Sequence, residues 1–232
     1  MLHFDAYDVL TFDCYGTLID WEQGILTALR PVLYAHGIAL GDEDILECYA
    51  ELEAAAEQGP FQPYNALLRQ VMEGFGRRWQ FSPSQDALQC LVASVAQWPP
   101  FPDTVAALEK LSRRYRLAIV SNIDDDLFAQ SARLLRVPFD WVITAERVQS
   151  YKPALRNFQA ALEHIGHPQS RVLHIAQSLY HDIAPAQQLG LSTVWVNRRH
   201  GQIGAGATPV AQATPDLEVP DLAALVSRMG LD

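Results

Sequence analysis

The stretch DVLTFDCYGTLID, residues 8–20, is the most informative part of the sequence. It begins with a short apolar run that ends on Asp13, as a buried strand of a parallel sheet does when it reaches the edge of the sheet. Gly16 lets the chain turn back, so that the amides after Asp13 can face a ligand at that edge. An isolated Asp at a strand end can equally cap a turn, so the assignment of a site depends on the rest of the chain.

Strand-like and helix-like segments alternate along most of the chain. Apolar, β-rich runs bounded by turn or polar residues predict strands at 8–13, 117–122, 139–144, 172–176, 193–197 and 217–219. Helical patterns lie between or after these runs, at 103–114, 125–136, 155–165, 181–189 and 221–229. This alternation predicts an α/β fold with a doubly wound parallel sheet and right-handed crossovers.

Residues 21–98 interrupt the alternation. Gly and Pro residues divide this segment into four helix-like stretches at 22–36, 43–58, 64–80 and 84–96. An insert directly after the first strand lies above the carboxyl edge of the sheet, where open α/β sheets bind ligands. We therefore predict an all-helical cap domain at 21–98 and a core domain formed by 1–20 and 99–232.

Composition excludes several classes of function. The 232 residues carry a net charge of −10 with scattered basic residues, whereas nucleic-acid binding needs a concentrated basic face. No apolar run approaches the ~20 residues that span a bilayer, and the N-terminus lacks the pattern of a signal peptide. Cys14, Cys48 and Cys90 form no CxxC pair, which indicates reduced thiols. We expect a cytoplasmic protein that binds neither nucleic acid nor membrane.

Polar residues follow four successive predicted strands at the same end. Asp13 ends the first strand, Ser121-Asn122 ends the second, Lys152 follows the third and Asp182 follows the fourth. Each residue alone is typical of a solvated loop. Together they predict a functional site, because the carboxyl ends of parallel strands meet at one edge of the sheet.

These motifs resemble the haloacid dehalogenase superfamily. The resemblance covers the whole chain and rests on DCYGTLID at 13–20, SN at 121–122, YKP at 151–153 and SLYHD at 178–182. Tyr15 and the run WPPFPDTVAAL resemble the type II 2-haloacid dehalogenase group. SLYHDIAPA together with NRRHG resembles a branch that contains L-azetidine-2-carboxylate hydrolase. The resemblance implies a Rossmann-like core, a helical cap and a covalent aspartate nucleophile.

Two departures favour displacement at carbon over phosphate chemistry. Superfamily phosphatases have a second Asp two residues after the nucleophile, and Tyr15 stands there in this chain. A phenol is a poor proton shuttle near neutral pH. The phosphatases also have an acidic magnesium ligand where this chain has Gln177, and an amide is a weaker partner for a hard cation than a carboxylate. We therefore expect no metal and no other cofactor.

The resemblance and the charges imply a mechanism. Ionised Asp13 attacks the carbon alpha to the carboxylate of a small 2-substituted acid and forms an ester. Lys152 offsets the negative charges of the site, Thr17 supplies a hydroxyl, and Asp182 is the expected base for the water that hydrolyses the ester. Further substrate contacts are expected from Cys14, Tyr15, Ser121, Asn122 and Ser178. His181 is an alternative base, but we expect it to face away from Asp182, at the surface or behind the site.

The leaving group remains open between a halide and an amine. Well-studied type II dehalogenases use a cap Arg to receive the halide, and the corresponding stretch DEDILECYAELEAAAEQ contains none. Two further family positions, a Tyr and an Asn, are Phe158 and Leu179 here. The ring amine of L-azetidine-2-carboxylate is therefore a competing leaving group. A magnesium phosphatase and an inert protein-binding relative are further alternatives, and the resemblance leaves a homodimer open.

Overall fold

A computed structural model describes residues 2–231 of the chain. Its centre is one six-stranded sheet with the strand order β3-β2-β1-β4-β5-β6, and every pairing is parallel. In chain order the strands are β1 (Val9–Phe12), β2 (Arg116–Ser121), β3 (Trp141–Thr144), β4 (Val172–Ala176), β5 (Ser192–Val196) and β6 (Leu217–Val219). The predicted doubly wound α/β fold is confirmed.

Strand β1 lies in the middle of the sheet, between β2 and β4. All four of its residues are buried, as expected of a parallel strand with helices on both faces. Phe12, its last residue, is in register with Ile119 of β2 and Ile175 of β4. The next residue, Asp13, therefore leaves the sheet between the carboxyl ends of two neighbouring strands.

Four helices follow β1 and form the segment that we predicted as a cap. They are α1 (Trp21–Ala35), α2 (Asp42–Ala56), α3 (Tyr64–Arg78) and α4 (Gln85–Ser94). Each begins and ends within two residues of the predicted bounds. Most of their buried apolar side chains belong to the same hydrophobic cluster as the side chains on one face of the sheet. The position of the domain boundaries at residues 21 and 98 stays a prediction.

The remaining helices flank the sheet. They are α5 (Thr104–Leu111), α6 (Asp125–Leu135), α7 (Ala145–Val148), α8 (Leu155–Ile165), α9 (Ala184–Gln188) and α10 (Leu222–Arg228). The sequence pattern did not predict the single-turn helix α7. The predicted helix 181–189 is in fact two elements, because a π-helical turn at Leu179–Ile183 precedes α9. Among the described helices, none has the length and apolar content that crossing a membrane needs.

Charged side chains of the core hold three of the predicted cap helices, α1, α2 and α3, over the edge of the sheet. Asp124, which follows β2, accepts hydrogen bonds from the N–H groups of Tyr64 (2.7 Å) and Asn65 (2.9 Å) at the start of α3. A carboxylate at a helix N-terminus is favoured by the free amides and by the helix dipole. On the other side, Arg199 donates to Glu22 of α1 and Glu43 of α2, at 2.6 Å each. A cavity lies between the helices and the sheet edge.

Candidate active site

The predicted site residues meet beyond the carboxyl ends of β1 to β4. Asp13, Ser121, Lys152 and Asp182 line one cavity and are all buried, although they come from four different segments of the chain. The free space is narrow, about 30 Å³, which suits a ligand of few atoms. The strand order explains the convergence, because the segments that carry these residues lie side by side in the sheet.

Lys152 lies between two carboxylates. Its Nζ donates to Asp13 Oδ1 (2.9 Å), to Asp182 Oδ1 (2.6 Å) and to the carbonyl of Val120 (2.9 Å). All three donors of the ammonium are thus used, although the residue is only 2% exposed. Burial lowers the pKa of Lys152, but the two carboxylates outweigh this effect and raise it. The lysine is a fixed positive charge at the centre of the site.

Asp13 has both carboxylate oxygens held. Lys152 donates to Oδ1, and the hydroxyl of Thr17 donates to Oδ2 at 2.7 Å. Thr17 itself accepts from the backbone N–H of Gln177 (2.9 Å), so its hydroxyl proton is directed to Asp13. Burial raises the pKa of Asp13, Asp182 adds to the rise, and Lys152 opposes it. Lys152 is therefore the group that keeps Asp13 available as an anion.

One carboxylate oxygen of Asp182, Oδ1, has two hydrogen-bond partners. Besides Lys152, the imidazole Nε2 of His174 lies 3.0 Å from Oδ1, while Nδ1 of the same ring lies 2.9 Å from Thr11 Oγ1. Burial would raise the pKa of Asp182, but Lys152 and His174 outweigh burial and lower it. The second oxygen, Oδ2, has no hydrogen-bond partner among residues 2–231. It is available to a ligand or to water.

Ser121 and Asn122 have different roles in the geometry. The Ser121 hydroxyl is buried, lines the cavity and has no hydrogen-bond partner within the described residues. Asn122 instead supports the backbone of Lys152, since its Oδ1 accepts from the Lys152 N–H (2.7 Å) and its Nδ2 donates to the Lys152 carbonyl (3.0 Å). The same Nδ2 donates to Glu57 at 2.9 Å. Ser121 is free to bind a ligand, whereas Asn122 joins the core to the cap wall.

Of the two residues after Asp13, Tyr15 lines the cavity and Cys14 does not. Tyr15 lines the cavity with its ring, but its hydroxyl forms a hydrogen bond with Ser131 Oγ (2.8 Å), and burial raises its pKa well above the usual value. The ring also packs edge-on against Trp98, at 5.7 Å between centroids. Cys14 is fully buried in the hydrophobic core and is not among the residues that line the cavity. The structure therefore does not bring the Cys14 side chain to the site.

The π-helical turn after β4 brings in His181, which we expected to face elsewhere. Ser178 caps the turn, because its Oγ accepts from the His181 N–H (2.8 Å) and lies 3.2 Å from the ring Nδ1. His181 is buried and lines the cavity together with its neighbour Asp182. Adjacent residues on an α-helix are about 100° apart, and the wider π-turn allows both to face inward. The expectation that His181 faces away from Asp182, at the surface or behind the site, was wrong.

Helix α2 and the residue that follows it supply the opposite wall. Glu53 Oε1 accepts a hydrogen bond from the hydroxyl of Tyr49 (3.1 Å) and a second from Tyr64. Glu57 accepts from Asn122 and lies 3.7 Å from His181, measured from Oε2 to Nε2. Burial, with a contribution from Glu57, raises the pKa of Glu53 to about 7. The wall that faces Asp13 is thus acidic.

Arginines near the site are already paired. Arg198 donates to both oxygens of Asp103 (2.7 and 2.9 Å) and to the carbonyl of Thr17. Arg199 is occupied by Glu22 and Glu43, as described above. Neither residue lines the cavity. The Arg198-Arg199 turn therefore offers no anion cradle at the site.

The donor set does not fit a divalent cation. Three of the four carboxylate oxygens of Asp13 and Asp182 are engaged by Lys152, Thr17 and His174. Gln177 supplies an amide where a further carboxylate would be needed. No cluster of three or more His, Cys, Asp or Glu side chains suitable for a metal occurs within residues 2–231.

Several lining residues were not predicted as a site. Thr208 is one of them and lies in the loop 198–216, and Trp21 and Tyr64 line the cavity from the first residues of α1 and α3. The sequence shows Glu53 and Glu57 as acidic residues of α2 and of its C-terminal end, without indicating that they line a cavity. The apolar spacing in α2 marks a buried face that includes Glu53, but it does not show that this face turns toward the sheet edge.

Comparison with known proteins agrees with this geometry. The family model of the haloacid dehalogenase-like hydrolases matches residues 7–190. The pyrimidine 5'-nucleotidase YjjG of Escherichia coli is 33% identical over 211 residues, which are 88% of this chain and 92% of the relative. The (S)-2-haloacid dehalogenase H-109 of Pseudomonas putida is 26% identical over 219 residues, covering 92% of this chain and 93% of the relative.

Solved structures share the fold. A crystal structure of an L-2-haloacid dehalogenase superimposes with a TM-score of 0.80 at 24% identity, covering 97% of this chain and 100% of the other. The L-2-haloacid dehalogenase of Xanthobacter autotrophicus gives a TM-score of 0.78 at 19% identity, covering 96% of this chain and 98% of the other. The extent of the family match decides the assignment: the chain is a hydrolase that belongs to the haloacid dehalogenase-like hydrolase family.

Proposed function

We propose that this protein is a metal-independent hydrolase that displaces a leaving group from the alpha carbon of a small 2-substituted carboxylic acid. A carboxylate oxygen of Asp13 attacks that carbon, a C–O bond forms, and the bond to the leaving group breaks with its electron pair. Water activated by Asp182 then attacks the aspartyl ester, releasing a 2-hydroxy acid and restoring Asp13. Throughout, Lys152 balances the negative charge of Asp13, Asp182 and the substrate.

Tyr15 is the observation that carries the proposal. A phosphatase of this superfamily needs an acid and base two residues after the nucleophile, and Tyr15 is tied to Ser131 with its pKa raised well above the usual value. The proton-transfer group of a phosphatase is thus missing, while Lys152 Nζ lies 2.9 Å from Asp13 Oδ1, the proposed nucleophile. Dehalogenation at carbon requires no proton on the leaving halide, so it tolerates a tyrosine at this position.

The substrate carboxylate has donors next to Asp13. The Ser121 hydroxyl is buried, faces the cavity and lacks a partner within the described residues. Together with the amides after Asp13, it supports binding of the carboxylate next to the nucleophile, as we predicted for Ser121. Thr17 and Asn122 act through Asp13 and Lys152, which they hold. Ser178 stays a proposed site residue, because its hydroxyl caps the turn that carries His181.

Two alternatives have support of their own. The acidic wall of Glu53 and Glu57 and the paired state of Arg198 and Arg199 favour an amine leaving group, as in ring opening of L-azetidine-2-carboxylate. There the C–N electron pair returns to an already protonated nitrogen, which departs as a neutral amine. A magnesium phosphatase is favoured by the nucleotidase relative and opposed by Tyr15 and Gln177.

A substrate panel tests the proposal. Halide, amine and phosphate release are measured in parallel on L-2-chloropropionate, L-azetidine-2-carboxylate and a set of phosphomonoesters, with either EDTA or magnesium present. We expect EDTA-resistant turnover of at least one of the two carboxylic acids. Magnesium-dependent phosphate release without turnover of either acid would refute the proposal in favour of the phosphatase.

A further inference from the structure

A second space, which we call the side chamber, lies next to the active-site cavity. Its volume is about 300 Å³, against about 30 Å³ for the cavity. The first turn of α1, Gly16 and the Arg198-Arg199 turn are part of its lining. Trp21 and Gln177 line both spaces, so these two side chains form a partition between the cavity and the chamber.

The partition is packed closely onto the backbone at Gly16. Gly16 has a φ of +89° and lines the chamber. A methyl group on its α carbon would lie 2.9 Å from Nε1 of Trp21 and 3.1 Å from Oε1 of Gln177. Both distances are shorter than ordinary van der Waals contact, and only glycine allows such an approach. The indole and the amide therefore meet over the same point of the chain.

Trp21 is the more firmly held half of the partition. It is the first residue of α1, and Asp20 before it caps the helix by accepting from the N–H of Gln23 (3.2 Å). Its ring packs edge-on against Tyr49 of α2, with 5.8 Å between centroids, and the residue is 7% exposed. Gln177 is only half-buried. A rigid aromatic ring, fixed at both ends, thus forms most of the barrier.

We propose that Trp21 sets the upper limit on substrate size, because it confines the carbon chain of the acid to the cavity and closes off the side chamber. The enzyme is then specific for short-chain 2-substituted acids. Beyond Trp21, Leu26 and Phe101 line the chamber and offer apolar surface to a longer chain once the ring is removed. The inference rests on the proposed function for the class of ligand, a 2-substituted carboxylic acid.

Binding of product-like 2-hydroxy acids tests the limit without any turnover. The probes are 2-hydroxypropionate and 2-hydroxyhexanoate, which share the carboxylate and the hydroxyl and differ only in chain length. Calorimetry on the wild-type protein should give tighter binding of the short acid, by about tenfold or more, since a pocket rejects methylene groups for which it has no room. Trp21→Leu removes most of the indole and should lower this ratio by about tenfold. Trp21→Phe, which keeps a ring beside Tyr49, should lower it by less.

A matched variant separates the partition from the chamber as a whole. Leu26→Ala enlarges the chamber from the same helix, at a residue that does not line the cavity, and should keep the wild-type ratio. The wild-type measurement needs no variant, and equal binding of the two acids or binding of neither would overturn the inference. A ratio that both Trp21 variants leave unchanged, or that Leu26→Ala lowers as much as Trp21→Leu, would overturn it as well.

The outcomes also separate the size limit from the proposed function. A preference for the short acid that Trp21→Leu relieves, in a protein that turns over neither acid of the panel, would leave the size limit standing and refute the proposed function alone. Turnover of a panel acid by a protein that binds both probes equally would refute the size limit alone.

Discussion

Replacing Lys152 by methionine should damage both the stability and the rate of the enzyme. Methionine keeps the length of the side chain and removes its charge, so that Asp13 and Asp182 face each other without the ammonium that lies 2.9 and 2.6 Å from them. Both carboxylates are buried. Breaking a buried ion pair by removing one partner costs about 3–5 kcal/mol, which corresponds to roughly 10²- to 10⁴-fold in an equilibrium or a rate.

The loss should depend on pH in a defined direction. Without Lys152 the carboxyl pair has a raised pKa in the folded protein, so the variant keeps its stability at low pH and loses it as the pH rises through that pKa. Urea unfolding between pH 4 and pH 8 measures this slope, and single-turnover kinetics measure the rate. Lys110→Met, at the other lysine of the chain, on α5 and outside the cavity, is the control. A variant as stable and as active as the control near neutral pH would refute the role of Lys152.

Three further predictions concern the nucleophile, the metal and the support of Asp182. In a single turnover in heavy-oxygen water with enzyme in excess, the product oxygen should come from Asp13, and label found directly in the product would exclude the ester. Turnover of the carboxylic acid should be unchanged by EDTA. A loss of turnover in EDTA that added magnesium restores would contradict metal independence. At pH values above the pKa of Asp182, His174→Leu should lower the free energy of unfolding by about 1.5–3 kcal/mol, because a buried carboxylate loses a hydrogen-bond donor. His174→Gln keeps a donor and should lower it by less. Because the pKa of Asp182 is lowered in the folded protein, this contribution to the free energy of unfolding should fade as the pH drops through that pKa.

The core half of the site could be predicted from the sequence because it depends on strand ends. Once the apolar runs identify parallel strands, the residues after them must share one edge, whatever the details of packing. Asp13, Lys152 and Asp182 illustrate this. Each follows a different strand, and the ammonium of Lys152 binds both carboxylates. Local patterns were sufficient for these residues.

The cap half could not be predicted in the same way. Glu47 and Glu51 are four residues apart, and so are Glu53 and Glu57, so each pair occupies one side of a helical turn. The spacing of Ile45, Tyr49 and Glu53 by four residues puts Glu53 on the apolar face of α2, but whether this face meets the sheet edge or only the other cap helices depends on how the cap docks. The docking includes the contacts of Asp124 with the start of α3 and of Arg199 with α1 and α2, and all of them join residues far apart in the chain.

His181 shows a second limit of local reasoning. The prediction of its direction assumed an α-helix, in which neighbours of Asp182 point elsewhere. The chain instead makes a π-helical turn at Leu179–Ile183, capped by Ser178. Such turns are rare and often occur at functional sites, so the departure from the regular helix was itself a sign of function. No residue type in SLYHD predicts the π-helical turn.

The position of Tyr15 links the fold to the choice of chemistry within the family. Relatives of this chain include a nucleotidase and (S)-2-haloacid dehalogenases, so the shared core supports attack on phosphorus or on carbon. Attack on phosphorus with an oxygen leaving group needs a proton donor beside the nucleophile, whereas a halide or an already protonated amine departs without one. Tyr15, fixed between Ser131 and Trp98, removes the donor and fills its place with an aromatic ring. Under the proposed function, Tyr15 favours leaving groups that need no further proton, which a halide and an already protonated amine both satisfy.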